Sequence, residues 1–357
     1  MIQLKIPGKL YLAGEYGVLY PGVPALIFSV DRFMHLSFSF REEFGTIQDN
    51  NLPPIVWRRD SLVNTFGHDD YFEVLFACIG IVDRYLLALN QPLKYVDILV
   101  QTHLKENETK LGLGSSAAIS VGIIKGLLRL YDLPYTPLLV YKLAVLAHIE
   151  LGLEGSFGDI ASCSFTGLIK YTAVDRFWLQ SMVKNTPLLD LLKQKWPLLA
   201  IESLPQLDFI NYLIGWTQTS ASTQEMVKKL QSTPLSADFE ETFQEDIKQV
   251  VDSLVLSVQT KDVPLFQAAI VKNRQILQSL AQQSGLIIET KDLSTLIDLA
   301  LDHGGVAKSS GAGGGDCGLA FFEKDLSLKP VLDAWRSSNI QVLPLTIYEE
   351  ENYVPQR

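Results

Sequence analysis

"GLGSSAAISVGIIKGLLRLY" (residues 112–131) sets two glycines and two serines ahead of a run whose apolar residues recur at helical spacing. A helix entered through small residues offers its first N–H groups, with the helix dipole behind them, to an anion. Gly112 and Gly114 let a ligand approach the backbone, and the hydroxyls of Ser115 and Ser116 can bond a phosphate or reach a Mg²⁺. The stretch lacks the G-K-[ST] ending of a Walker loop. Read alone, it is equally a strand-to-helix turn with serine as N-cap.

Two more small-residue loops stand far away in the chain. "PGKLYLAGEY" (7–16) reads as a Pro-Gly turn between the strands "IQLKI" and "YLAGEYGVLY", with Lys9 just past the turn and Glu15 as a solvated strand residue. "KSSGAGGGDCG" (308–318) holds five glycines in eleven positions. Five exceed what a hairpin needs, so the stretch reads as a nest of backbone amides converging on an anion.

Between these loops lie strands such as "YVDILVQT" and "NYLIGWT", and helices marked by one-sided apolar spacing, Phe243, Ile247, Val251 and Leu254 among them. The fold class is α+β in two domains, residues 1–180 and 205–357, with the least organised stretch, 176–206, as the boundary. An apolar share of 47% over 357 residues supports real cores. A net charge of −10 argues against a nucleic-acid partner, and obliges an anionic ligand to be met by a few local cations. Cys78, Cys163 and Cys317 form no paired spacing, as expected of reduced thiols. The first residues lack a signal-peptide pattern, and the apolar stretch "LLVYKLAVLAHIELGL" is too short to span a bilayer, so a soluble, cytoplasmic protein with no membrane partner is expected. Five histidines without paired spacing give no zinc site. "GHDDY" (67–71) reads as a helix start with carboxylates near the dipole.

The order and spacing of the three loops resemble the superfamily of small-molecule kinases named for galactose, homoserine, mevalonate and phosphomevalonate. The resemblance spans nearly the whole chain. Within it, "GKLYLAGEY", "EGSFGDIAS", "GWTQTSAST" and "KSSGAGGGDCG" look most like the bacterial phosphomevalonate kinases. The resemblance implies an N-terminal domain of ribosomal-protein-S5-like topology, a ferredoxin-like C-terminal domain, and ATP with Mg²⁺ as cofactors. It implies transfer of the γ-phosphoryl of ATP to phosphomevalonate, on the mevalonate route to isoprenoids. Mevalonate kinase, diphosphomevalonate decarboxylase and a ligand-sensing relative without turnover are the alternatives.

Carried onto this sequence, the family pattern makes Lys9 and Asp159 the catalytic pair, with Asp159 orienting Lys9 or binding a substrate hydroxyl. Gly112, Leu113, Gly114, Ser115, Ser116 and Ala117 become the nucleotide-phosphate loop, with Ser115 or Ser116 on the metal. Ser310, Gly311 and Ala312 are expected to contact phosphate, and Lys110 and Ser156 the substrate. Ser222 and Thr223 either cap a helix or meet the substrate. Asp316 is expected to pin its loop, with a catalytic role as the alternative. In mevalonate kinases a helix glutamate helps hold Mg²⁺. The matching position here lies nearer His148 than Glu150, so no carboxylate ligand is assigned.

Overall fold

The computed structural model describes residues 1–49, 54–59, 70–106 and 109–350. Its first layer contains β1 (Ile2–Ala13), β2 (Pro24–Arg41), β3 (Gly45–Asp49), β4 (Ile55–Trp57), α1 (Asp70–Ala88) and β5 (Tyr95–Thr102). A short hairpin, β6 (Lys105–Glu106) and β7 (Thr109–Lys110), leads to α2 (Ser115–Leu130), α3 (Pro137–Glu150), α4 (Gly158–Phe165) and β8 (Leu168–Thr172). The layer then adds α5 (Arg176–Asn185), α6 (Leu188–Lys193) and β9 (Ala200–Leu204). Of the "GHDDY" stretch, residues 67–69 lie outside the described residues.

The two strands expected around a Pro-Gly turn are one strand. β1 runs through Pro7 and Gly8 and pairs antiparallel with β2 from Ile2↔Phe38 to Ala13↔Leu26. Pro7 faces Phe33 and Gly8 faces Val30, so the pair marks a bulge, where a residue lacking an N–H costs the ladder least. "GEYGVLY" is not strand either, since Gly17–Leu19 form a 3-10 turn. The stretch 176–206, expected to be the boundary, carries α5, α6 and β9. β9 pairs with β8 from Leu168↔Leu204 to Thr172↔Ala200 and so extends the first sheet past residue 180. Helix α2 lies close against this sheet because Gly122 and Gly126 leave no Cβ to strike Leu36 and Phe38.

The second layer runs β10 (Asn211–Trp216), α7 (Thr223–Ser232), α8 (Ala237–Thr260), α9 (Val263–Ser284), α10 (Lys291–Asp302), β11 (Val306–Ser309), β12 (Cys317–Phe322), α11 (Lys329–Ser337) and β13 (Gln341–Leu343). Its strands order as β11-β12-β10-β13, all antiparallel, with helices between β10 and β11 and between β12 and β13. That is the ferredoxin-like arrangement. Strand period two divides its faces: Leu319 and Phe321 join a large core continuous with the first layer, while Ala320 and Phe322 pack with Leu296, Val331 and Trp335 in a smaller one.

After β13 the chain returns to the first layer. Ile347 bridges to Val30, the Tyr348 N–H donates to Ser29 O at 2.9 Å, and Glu350 meets the buried Lys125 ammonium at 2.7 Å. No described helix is long and apolar enough to cross a membrane.

Candidate active site

The three loops meet. Gly8 of β1 lies against Leu113, where a Cβ would come within 2.9 Å of the leucine Cβ. The next residue closes the contact: the Lys9 N–H donates to Leu113 O at 2.9 Å, and its Nζ donates to Gly112 O at 3.0 Å. Gly112 and Gly114 both hold left-handed backbone, φ +73° and +79°. A Cβ on Gly114 would sit 2.8 Å from Lys9 Cε, so the loop and the lysine stem fit only with glycine there.

Gly114 itself caps α2, leaving the Ser115 and Ser116 hydroxyls unused for capping, contrary to the serine-cap reading. The first turn of α2 carries no acidic residue, so its free amides and dipole end face the site uncompensated. Ser115 is half-buried and Ser116 exposed, whereas Ala117 is buried.

A second group forms around Tyr11. Its hydroxyl and Ser156 Oγ share a hydrogen bond at 3.2 Å, and the Tyr171 hydroxyl donates to Ser156 O at 2.5 Å. Burial, with Asp159 adding to it, raises the Tyr11 phenol well above its ordinary range, so it stays a neutral donor. Asp159 stands in the first turn of α4, half-buried, with its Oδ1 accepting the Ile160 N–H at 3.0 Å. The expected Lys9–Asp159 ion pair does not form among the described residues. The lysine takes the carbonyl of Gly112 instead, because β1 passes directly beside that loop.

The glycine loop is half tied down and half open. Gly314 N–H donates to Ile288 O at 2.9 Å and Asp316 N–H to Thr219 O at 2.8 Å, which fastens its far side. At Gly313, with φ +74°, a Cβ would lie 2.2 Å from Ile288 O. Gly311 faces open space, and Ala312 O accepts the Tyr16 hydroxyl at 2.5 Å. Ser310, expected on phosphate, is turned inward. Its hydroxyl donates to Tyr11 O at 2.9 Å and accepts the Tyr11 N–H at 3.0 Å, so it laces the loop to β1. Ser222 caps α7, accepting the Glu225 N–H at 3.3 Å, and Thr223 is the first residue of that helix, both exposed beside the loop. Lys110 ends β7, exposed and near enough to act on Asp316.

Two features escaped the sequence reading. Glu15, expected in solvent, is buried and paired with the fully buried Lys308, while Asn273 Nδ2 donates to its second oxygen at 3.2 Å. Asp316 was expected to pin its loop. Its backbone does so, its carbonyl accepting the Thr217 N–H at 3.0 Å, but its carboxylate packs against Gly112. Burial pushes that carboxyl up to about 6, opposed by Lys9, the Ala221 N–H and Lys110. The glutamate considered for the metal is elsewhere: Glu150 pairs with Arg84, and His148, kept neutral by burial, shares a 2.8 Å hydrogen bond with Ser120.

Glycine loops, a helix N-terminus and a lysine brought together in one place define a phosphoryl-transfer class of protein. Residues 77–167 match the model for the N-terminal domain of GHMP kinases, and residues 254–341 match the model for their C-terminal region. The chain belongs to the GHMP kinase family. Phosphomevalonate kinase of Streptomyces sp. (strain CL190) is 32% identical over 95% of both chains. Mevalonate kinase of Thermococcus sibiricus is 27% identical over 87% of this chain and 86% of its own. Among solved structures, Streptococcus pneumoniae phosphomevalonate kinase in complex with phosphomevalonate and AMPPNP superposes with a TM-score of 0.87. It is 27% identical, covering 97% of this chain and 99% of its own.

Proposed function

We propose that the chain is a phosphomevalonate kinase, moving the γ-phosphoryl of ATP onto the phosphate of phosphomevalonate to give diphosphomevalonate. The observation that carries the chemistry is the Lys9 ammonium, held on Gly112 O beside the open N-terminus of α2. The acceptor is supported by the near full-length likeness to a phosphomevalonate kinase.

The acceptor phosphate needs no general base, since its second pKa of about 6 leaves it largely ionised at neutral pH. The difficulty is bringing two polyanions together, so catalysis rests on positioning and charge stabilisation. Lys9 leaves the Gly112 carbonyl to bridge the transferring phosphoryl and the acceptor oxygen, and Lys110 supplies a second cation at the rim. The amides of Ser115, Ser116 and Ala117 take nucleotide phosphate, joined by those of Gly311 and Ala312. Ser156, fixed by Tyr11, meets the acceptor, with Ser222 and Thr223 on the opposite wall and Asp159 taking a substrate hydroxyl.

The residues fit a Mg²⁺ carried mainly by the nucleotide. The hydroxyls of Ser115 and Ser116 are free of capping duty, and the described residues gather no cluster of three metal-binding side chains. Bound there, the ion would neutralise charge on the phosphates. Three free, buried cysteines suit a reducing, cytoplasmic setting. The test is ADP release with mevalonate, phosphomevalonate and diphosphomevalonate supplied separately. Turnover with phosphomevalonate alone, abolished by Lys9→Ala and only weakened by Asp159→Asn, is expected; preference for mevalonate would overturn the acceptor assignment.

A further inference from the structure

Asp316 poses a question that the proposed reaction leaves open. A carboxylate stands in a site that must collect several phosphates, where its charge opposes binding. Its Oδ1 is buried and has no hydrogen-bond partner among the described residues. Buried polar atoms are nearly always satisfied, and an exception calls for a reason.

The surroundings supply one. The Asp316 carboxylate is packed on Gly112: a Cβ there would lie 2.5 Å from its Cγ and 2.7 Å from its Oδ2. Gly112 is also the residue whose carbonyl holds Lys9 Nζ at 3.0 Å. One glycine thus has the lysine on its carbonyl and the aspartate on its α-carbon, with the carboxylate's free oxygen left over. The position is fixed from both sides, because the Asp316 N–H bonds Thr219 O and its carbonyl accepts both the amide and the hydroxyl of Thr217. Asp316 also holds φ +55°, a left-handed strain accepted only where the fold enforces it. Lys9 is the strongest charge acting on it, ahead of Lys110.

We propose that Asp316 is the positioning residue for Lys9, the counter-charge that keeps its ammonium at Gly112 until a phosphoryl oxygen takes it. The carboxylate does not bond the ammonium; it acts across Gly112 as an uncancelled negative charge beside it. Lys9 and Lys110 both act on this carboxylate, and two like charges drawn to one place repel each other. The carboxylate offsets that. Neither Asp316 nor Asp159 forms an ion pair with Lys9 among the described residues, but Asp316 stands across Gly112 from it and feels its charge, so it takes the part that the family pattern would give to Asp159. This inference rests on the kinase reading for its kinetic consequences but not for its titration.

The test therefore has two arms. In the first, lysines are ¹³C-dimethylated and the Lys9 resonance, identified by its loss in Lys9→Arg, is titrated by NMR in the ligand-free protein. Asp316→Asn, which keeps the shape, should move the Lys9 resonance and its titration away from the parent's, and Asp159→Asn should move them less. In the second arm, AMPPNP binding and turnover are compared. Removing a negative charge from an anion site should leave nucleotide affinity equal or tighter, yet kcat should fall about tenfold or more as Lys9 loses its place.

An unmoved Lys9 titration in Asp316→Asn, or a larger shift in Asp159→Asn, overturns the proposal. So does an unchanged kcat. Asp316→Ser serves as the second variant if Asp316→Asn fails to fold. A protein that does not turn over phosphomevalonate but still shows the Lys9 shift would refute the acceptor and leave the positioning role standing.

Discussion

Lys308→Met tests how the two layers are fastened. The Lys308 and Glu15 side chains are 0% and 1% exposed, and the ammonium also donates to Ser309 O at 2.5 Å. Removing the lysine leaves a carboxylate in the core with the Asn273 amide against it, and breaking a buried pair in this way costs about 3–5 kcal/mol. An unfolding entropy of about 2.1 cal/mol/K per residue over 357 residues gives about 0.75 kcal/mol/K, so the melting temperature should drop by about 4–7 °C. Glu15→Gln should act similarly, by stranding the ammonium. The double variant Glu15→Gln/Lys308→Met buries no charge and should cost less than the sum of the singles by about 2 kcal/mol or more. Thermal and urea unfolding of the four proteins measures this coupling. Single costs under about 1 kcal/mol that simply add in the double variant would refute the reasoning, since they would mean that water already reaches the pair.

Three further outcomes follow from the site. Asp316, raised from 3.8 to about 6, favours the folded state fully below pH 3.8 and loses that contribution as pH rises through 6. Asp316→Asn should therefore be more stable than the parent at pH 8, by at most about 3 kcal/mol, with the gap shrinking toward pH 4 in urea titrations; a gap independent of pH would contradict this. Ser310→Ala removes both bonds to the Tyr11 backbone and should cost about 1–3 kcal/mol in unfolding free energy, whereas a pure phosphate contact would weaken nucleotide binding and leave stability alone. Gly114→Ala meets φ +79° and the Lys9 stem together, so about 1–2 kcal/mol of backbone strain should accompany a loss of kcat measured by ADP release.

Much of this architecture can be read from local pattern. The strand NYLIGW, the helix faces of α8 and α9 and the glycine entrance to α2 announce themselves through periodicity and small residues close in sequence. What cannot be read is set by partners far along the chain. Pro-Gly signals a turn and a bulge equally, and only the β2 register decides for the bulge at Pro7. Glu15 looks like a solvated strand residue because its partner Lys308 lies 293 positions away. Residues 176–206 look disorganised because α5 buries only Leu179 completely, too little for a visible apolar face. The loops stand out in the sequence as small-residue stretches, but side-chain destinations inside the site, Ser310 onto Tyr11 and Lys9 onto Gly112, depend on how the loops pack against each other.

The returning segment after β13 also sets a clock. Asp31 accepts the Thr346 N–H at 2.7 Å from 315 residues downstream, and Lys125 finds Glu350 only once almost the whole second layer exists. At about 5–20 residues per second, a ribosome takes roughly 15–60 s to cover that distance. For that interval the nascent first sheet has an unfilled edge at Ser29–Asp31 and a buried lysine awaiting its anion. The first layer can collapse early, but its final hydrogen bonds wait for residues translated long after it.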